Sequence, residues 1–113
     1  MSTIFTKIIN REINASIVFE DDEVLAFNDV NPQAPVHVLI IPKKEIATLN
    51  DLTEADAQVV GKLHLVAAQI AREKGIAEQG YRVVMNCNEQ GGQSVYHIHL
   101  HLMGGRQMSW PAG

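Results

Sequence analysis

The segment His37-Val38-Leu39-Ile40-Ile41 limits the possible folds of this chain more than any other. It is apolar on both faces apart from His37, which is the pattern of a central strand buried on both sides of its sheet. Pro42 ends it, because proline has no N–H to give to a ladder, and the solvated pair Lys43-Lys44 follows. With 113 residues and 46% hydrophobic against 19% charged content, the chain is long enough for one real core. Repeats, linkers and low-complexity stretches are absent, so residues 1–113 read as a single domain.

The remaining elements arrange themselves around that strand. Ile4, Phe5, Ile8 and Ile9 have helical spacing behind Ser2 and Thr3, either of which can cap a short opening helix. Ile17 to Glu20 and Glu23 to Phe27 are strand-like and flank Asp21-Asp22, the length of a two-residue hairpin turn. Asn28 to Pro35 reads as a loop, since each proline biases its predecessor away from helix. Thr53, three residues ahead of Asp56, forms a weak capping box for a helix reaching about Lys74, with Gly75 as its terminator. Val59, Leu63, Val66, Ala67 and Ile70 make the buried stripe of that helix, widened by Val60. Tyr81 to Asn86 and Tyr96 to Met103 are two more strands, joined by a glycine-bearing loop. Short connections favour antiparallel pairing, so the expectation is an α+β fold: a five-stranded antiparallel sheet, a short N-terminal helix and one long helix.

His97, His99 and His101 occupy every second position of the last strand. Alternation puts them on one face, about 6.6 Å apart along the chain. Five histidines scattered through this composition would place a given one in such a row roughly once in a thousand. Two chemistries fit. Neutral imidazoles ligate zinc, although three in line span too far for easy tetrahedral convergence. Alternatively, an unprotonated imidazole attacks phosphorus while a protonated neighbour pairs with a phosphate oxygen. Clustered imidazoles also disfavour each other's cationic forms. Gly91-Gly92-Gln93-Ser94, directly ahead of the row, offers close backbone approach, amides for phosphate oxygens and a hydroxyl.

Charge narrows the partners. The net charge is −4 and no dense basic tract exists, so a nucleic-acid polymer is a poor partner, whereas one small phosphorylated ligand is not. No stretch has the length of a membrane span, and the N-terminal residues lack the pattern of a signal peptide. The single Cys87 allows no internal disulfide, and the expected compartment is the cytoplasm.

The run "GGQSVYHIHLHLMGG" resembles the signature of the histidine triad (HIT) family, His-x-His-x-His followed by apolar residues. "FNDVNPQAPVHVLIIPKK" and the ending "GGRQMSWPAG" are similar to its Hint branch of purine nucleoside phosphoramidases, and the likeness runs from Ile4 to Gly113. The uridylyltransferase branch carries Gln where His101 stands, and the dinucleoside-polyphosphate hydrolases lack this Ser94 and the Gly-Gly-Arg ending. The resemblance implies a HIT-like fold whose sheet continues across a two-fold homodimer. It implies hydrolysis of purine nucleoside 5′-phosphoramidates to a nucleoside monophosphate and an amine, with no metal or cofactor. His99 would attack the α-phosphorus and carry a transient nucleotidyl group, and His101 would contact the phosphate. His97 would orient the nucleophile with help from His37. Asn86, Gly92, Gln93 and Ser94 would hold the phosphate and leaving-group side, with Ser94 or a histidine protonating the amine. Asp29 would accept hydrogen bonds from the ribose hydroxyls. Ile4, Phe5, Ile8, Phe27 and Val30 would form the purine slot.

Several of these residues also have plainer readings. His37 alone would be a satisfied core histidine, and Asp29 a turn residue. Ile4, Phe5 and Ile8 serve core packing as much as a ligand wall, and His64 suits a structural or interface role. Trp110, so near the C-terminus, is expected to dock on something; by resemblance it reaches the partner subunit's active site. Close Hint relatives often carry histidine where this chain has Asn28 and Ser109. Two alternatives stand beside the phosphoramidase: a zinc-dependent hydrolase using the histidine row, and a nucleotide-binding interaction protein with incidental hydrolysis.

Overall fold

The computed structural model describes residues 2–113. Strands β1 (Ile17–Glu20), β2 (Val24–Asn28), β3 (Val36–Pro42), β4 (Tyr81–Val84) and β5 (Leu100–Gly104) form one antiparallel sheet in the order β1-β2-β3-β5-β4. β3 lies at the centre, as its two apolar faces require. Val38 and Ile40 point to one face and pack with Leu100, Leu102 and the long helix α2 (Ala57–Glu73). Leu39 and Ile41 point to the other and pack with Leu25, Phe27 and the short helix α1 (Ile4–Ile9). Each such aliphatic side chain, fully buried, stabilises the fold by about 1.5–3 kcal/mol. The sheet is therefore covered by α2 on one face and only partly by α1 on the other.

Local chemistry explains the helix starts. The Thr3 hydroxyl accepts from Phe5 N–H and Thr6 N–H, so Thr3 is the cap of α1. Thr53 and Asp56 form a reciprocal box, but it caps a single 3₁₀ turn, Glu54–Asp56, and α2 begins at Ala57. The stripe of α2 is Leu63, Val66, Ala67, Ile70 and Ala71, with Val59 and Val60 half-buried.

Three boundaries depart from expectation. Asp21 N–H donates to the Val24 carbonyl, and its carboxylate accepts from Glu23 and Val24, so the hairpin tip is Asp22-Glu23. β4 stops at Val84, and a one-turn helix α3 (Asn88–Gly91) sits inside the expected glycine loop. The last strand begins at Leu100, leaving Tyr96 to His99 outside the ladder. The reason lies in its neighbours. β4 ends opposite His101, and β3 ends at Pro42, which has no N–H to give. Ile98 N–H turns instead to the Ile46 carbonyl at 2.8 Å. Among the described residues no helix is long and apolar enough to cross a membrane.

Candidate active site

The sheet face that α2 leaves free carries His37 on β3 and His101 on β5. Leu39 pairs with His101 and His37 with Met103, so the two histidines are diagonal neighbours, with ring centroids 5.2 Å apart. His99 precedes the strand, and its ring lies 5.0 Å from that of His101. Phe5 of α1 meets His99 at 5.0 Å in a T-shaped contact.

Hydrogen bonds assign the protons. A neutral imidazole has one N–H and one lone pair, and a main-chain group opposite either nitrogen decides which is which. His99 Nδ1 lies 2.8 Å from the His97 carbonyl, so it carries the proton and Nε2 keeps a bare lone pair. His37 Nδ1 accepts from Gln33 N–H at 2.9 Å, so its proton is on Nε2. That proton faces His101 Nδ1 at 2.9 Å, which must accept, leaving His101 with N–H at Nε2. His97 is fully buried, with Nε2–H donating to the Pro42 carbonyl at 2.7 Å and no partner at Nδ1.

Burial is the largest cause lowering the pKa of all four, because an apolar setting disfavours the imidazolium. His101 falls furthest, to about 4, with His99 and His37 adding repulsion against the pull of Asp29. All four are uncharged at neutral pH. The cleft therefore receives a lone pair from His99 and a proton from His101, side by side.

That cleft has a volume of about 280 Å³, at the small end of ligand pockets. Phe5, Ile8 and Phe27 are buried in its wall, while Ile4 and the fully exposed Val30 stand at its rim. Asp29 is half-buried at one side; its Oδ1 accepts from Asn31 N–H at 2.8 Å and its Oδ2 lies 3.4 Å from His37 Nε2. Ser94, His99 and His101 also line the cleft. Leu39, Val95 and Ile13 also line it and were not anticipated. Leu39 was within reach of sequence reasoning, since it lies two residues from His37 and shares its face.

The other anticipated residues lie outside the lining. His37 hydrogen-bonds His101 through Nε2 and Gln33 N–H through Nδ1. His97 meets the ring of His99 through its carbonyl. Gly92, at φ +83°, and Asn86 are adjacent, a Cβ on Gly92 falling 3.9 Å from Asn86 Nδ2. Gln93 is buried with its amide committed: Oε1 accepts from Asn88 N–H, and Nε2 donates to the Ala47 and Val95 carbonyls. It holds the loop, and both hydrogens of its side-chain amide are engaged. Trp110 is 82% exposed and away from the cleft, its ring 5.8 Å from the Arg82 guanidinium.

Among the described residues, one group has the spacing of a metal site: ligand atoms of Asp29, His37 and His101 all lie within 4.8 Å of one another. Its donor set does not suit a cation. Gln33 N–H occupies the Nδ1 lone pair of His37, so the nitrogen facing the cluster bears a proton. Freeing Nε2 for a metal would set an Nδ1–H against the Gln33 N–H.

Comparison with known proteins shows the family of this chain. The family model for the HIT domain matches residues 10–108. The chain is 57% identical over 106 residues to the purine nucleoside phosphoramidase of Escherichia coli K12, covering 94% of this chain and 89% of that protein. It is 52% identical to adenylylsulfatase HINT1 of Arabidopsis thaliana, covering 98% of this chain and 76% of that one. The crystal structure of a HIT family hydrolase from Legionella pneumophila superimposes with a TM-score of 0.97 at 54% identity, covering 99% of this chain and all of that one.

Proposed function

The chain belongs to the histidine triad family, in its Hint branch, and from that premise we propose that it hydrolyses the P–N bond of purine nucleoside 5′-phosphoramidates. The observation that carries this reading is the pairing in one cleft of an unprotonated His99 Nε2 with a His101 Nε2–H. His99 Nε2 attacks the α-phosphorus, the P–N bond to the amine breaks, and a nucleotidyl-imidazole forms. Positive charge that develops on the ring is met by the His97 carbonyl, which already accepts Nδ1–H. His101 Nε2–H donates to a phosphoryl oxygen as its charge grows. The departing amine takes a proton through Ser94 or a histidine, and water then attacks phosphorus to release the nucleoside monophosphate and free His99. Asp29, an acceptor only, suits the ribose diol, and the Phe5, Ile8 and Phe27 wall suits a purine ring. Asn86 and Gly92, adjacent to each other, are assigned to the leaving group.

Two copies act together in this reading, with β4, an edge strand, pairing across a two-fold axis and Trp110 reaching the partner's cleft. The exposed Tyr81 and Val83 on β4 and Leu65 on α2 support that surface. Incubation with adenosine 5′-phosphoramidate should release AMP, and His99→Ala should lower kcat at least about 1,000-fold. Undiminished turnover by that variant would refute the mechanism.

A further inference from the structure

The segment that follows β5 packs on the loop that precedes β3. Gly105, at φ +92°, allows the approach: a Cβ there would fall 2.9 Å from Pro35 Cβ. Arg106 Nε then donates to the Gln33 carbonyl at 3.0 Å, and its Nη1 donates to the Gln107 carbonyl at 3.2 Å. Gln33 is the residue whose own N–H points at His37 Nδ1. Arg106 is thus joined through the Gln33 backbone, held at its carbonyl and donating from its N–H, to the hydrogen-bonded pair His37 and His101.

We propose that Arg106 is a positioning residue that fixes which nitrogen of His101 carries the proton. This role rests on the hydrolytic reading above and needs no further ligand. Gln33 N–H can only donate, so while it faces His37 Nδ1 the proton of His37 must lie on Nε2. His101 Nδ1 must then accept, and its proton points at the substrate. Should the Gln33 residue turn away, His37 gains a second tautomer, with N–H at Nδ1 and a lone pair at Nε2. The pair then reverses: His101 donates from Nδ1 and presents a bare Nε2 lone pair to the phosphoryl oxygens. An acceptor facing an acceptor opposes the transition state most, where those oxygens carry most charge. Arg106 holds the Gln33 carbonyl and so keeps the amide in register.

The direct test is ¹⁵N imidazole NMR of the full chain together with steady-state kinetics. In the parent protein His37 and His101 should each show a single Nε2–H tautomer. Arg106→Ala should give mixed tautomers at His37 and His101 alone. It should also lower kcat by about 3- to 10-fold, the effect of one hydrogen bond, with KM within about twofold. Arg106→Lys, which keeps an N–H donor on a long stem, should restore most of both. Arg82→Ala releases the same tail at the Ser109 carbonyl and should leave the ring spectra unaltered. Unchanged tautomers in Arg106→Ala would overturn the proposal, and so would changed tautomers with unchanged kcat. Equal scrambling by Arg82→Ala would overturn it as well, since any loosening of the tail would then suffice. Failure of the parent protein to turn over phosphoramidates would contradict the substrate reading; the ring spectra would still decide for or against the relay.

Discussion

At the scale of residues, two histidines of one chemical type do opposite jobs because different main-chain groups face them. The His97 carbonyl leaves His99 with a lone pair toward the cleft, and the Gln33 amide, acting through His37, leaves His101 with a proton. Burial keeps all four histidines neutral, and this has a consequence for stability. The unfolded chain binds protons at these rings from about pH 6.5 downward, while the folded chain resists. Stability contributed by the neutral rings is thus complete above that pH and is lost as pH falls, down to about 4 for His101. Glu20, Asp21 and Asp56, held low chiefly by hydrogen bonds from Lys43, Lys62 and Lys44, extend the loss to more acid conditions. The urea midpoint should accordingly be lower at about pH 5 than at about pH 7.5, and equal midpoints would contradict the neutral cluster. The alternation of His97, His99 and His101 was legible in the sequence; their tautomers were not. Those depend on the Pro42 carbonyl, 55 residues from His97, and on His37, 64 residues from His101, which the Gln33 amide holds.

At the scale of elements, β3 was legible because burial on both faces writes a continuous apolar run. α2 was legible because burial on one face writes a stripe. β5 was legible in position and not in length, since a strand ends where its partners end. Pro42 and the departure of β4 after Val84 leave His97 and His99 outside the ladder, where their rings and carbonyls are free to take separate roles. Arg106 and Gln33 gave no local signal, because their meeting depends on how the tail crosses the β3 approach. β4 itself has only β5 as a neighbour, so one row of its main-chain groups is open to a second copy. Val83→Lys places a charge on that edge and should convert a particle of twice the chain mass to one of the single mass in light scattering. A parent protein that already runs at the single mass would contradict the paired-sheet assembly.

At the scale of the whole molecule, the sheet separates the two tasks of the fold. Its α2 face buries the larger apolar cluster, and its other face gives up complete coverage so that a cleft opens between α1 and the histidines. Segments near both ends of the chain serve that cleft: α1 supplies its apolar wall, and the segment after β5 braces the loop that carries Asp29 and precedes His37. The hydrolase reading needs the covalent step to occur on one nitrogen of one histidine. Rapid quenching of a turnover mixture with phosphorus-labelled adenosine 5′-phosphoramidate, followed by peptide fragmentation, locates that step. An acid-labile, base-stable nucleotidyl group is expected on His99 in the first turnover and none in His99→Ala. A label on His97 or His101, or product release with no labelled protein at any time, would contradict it.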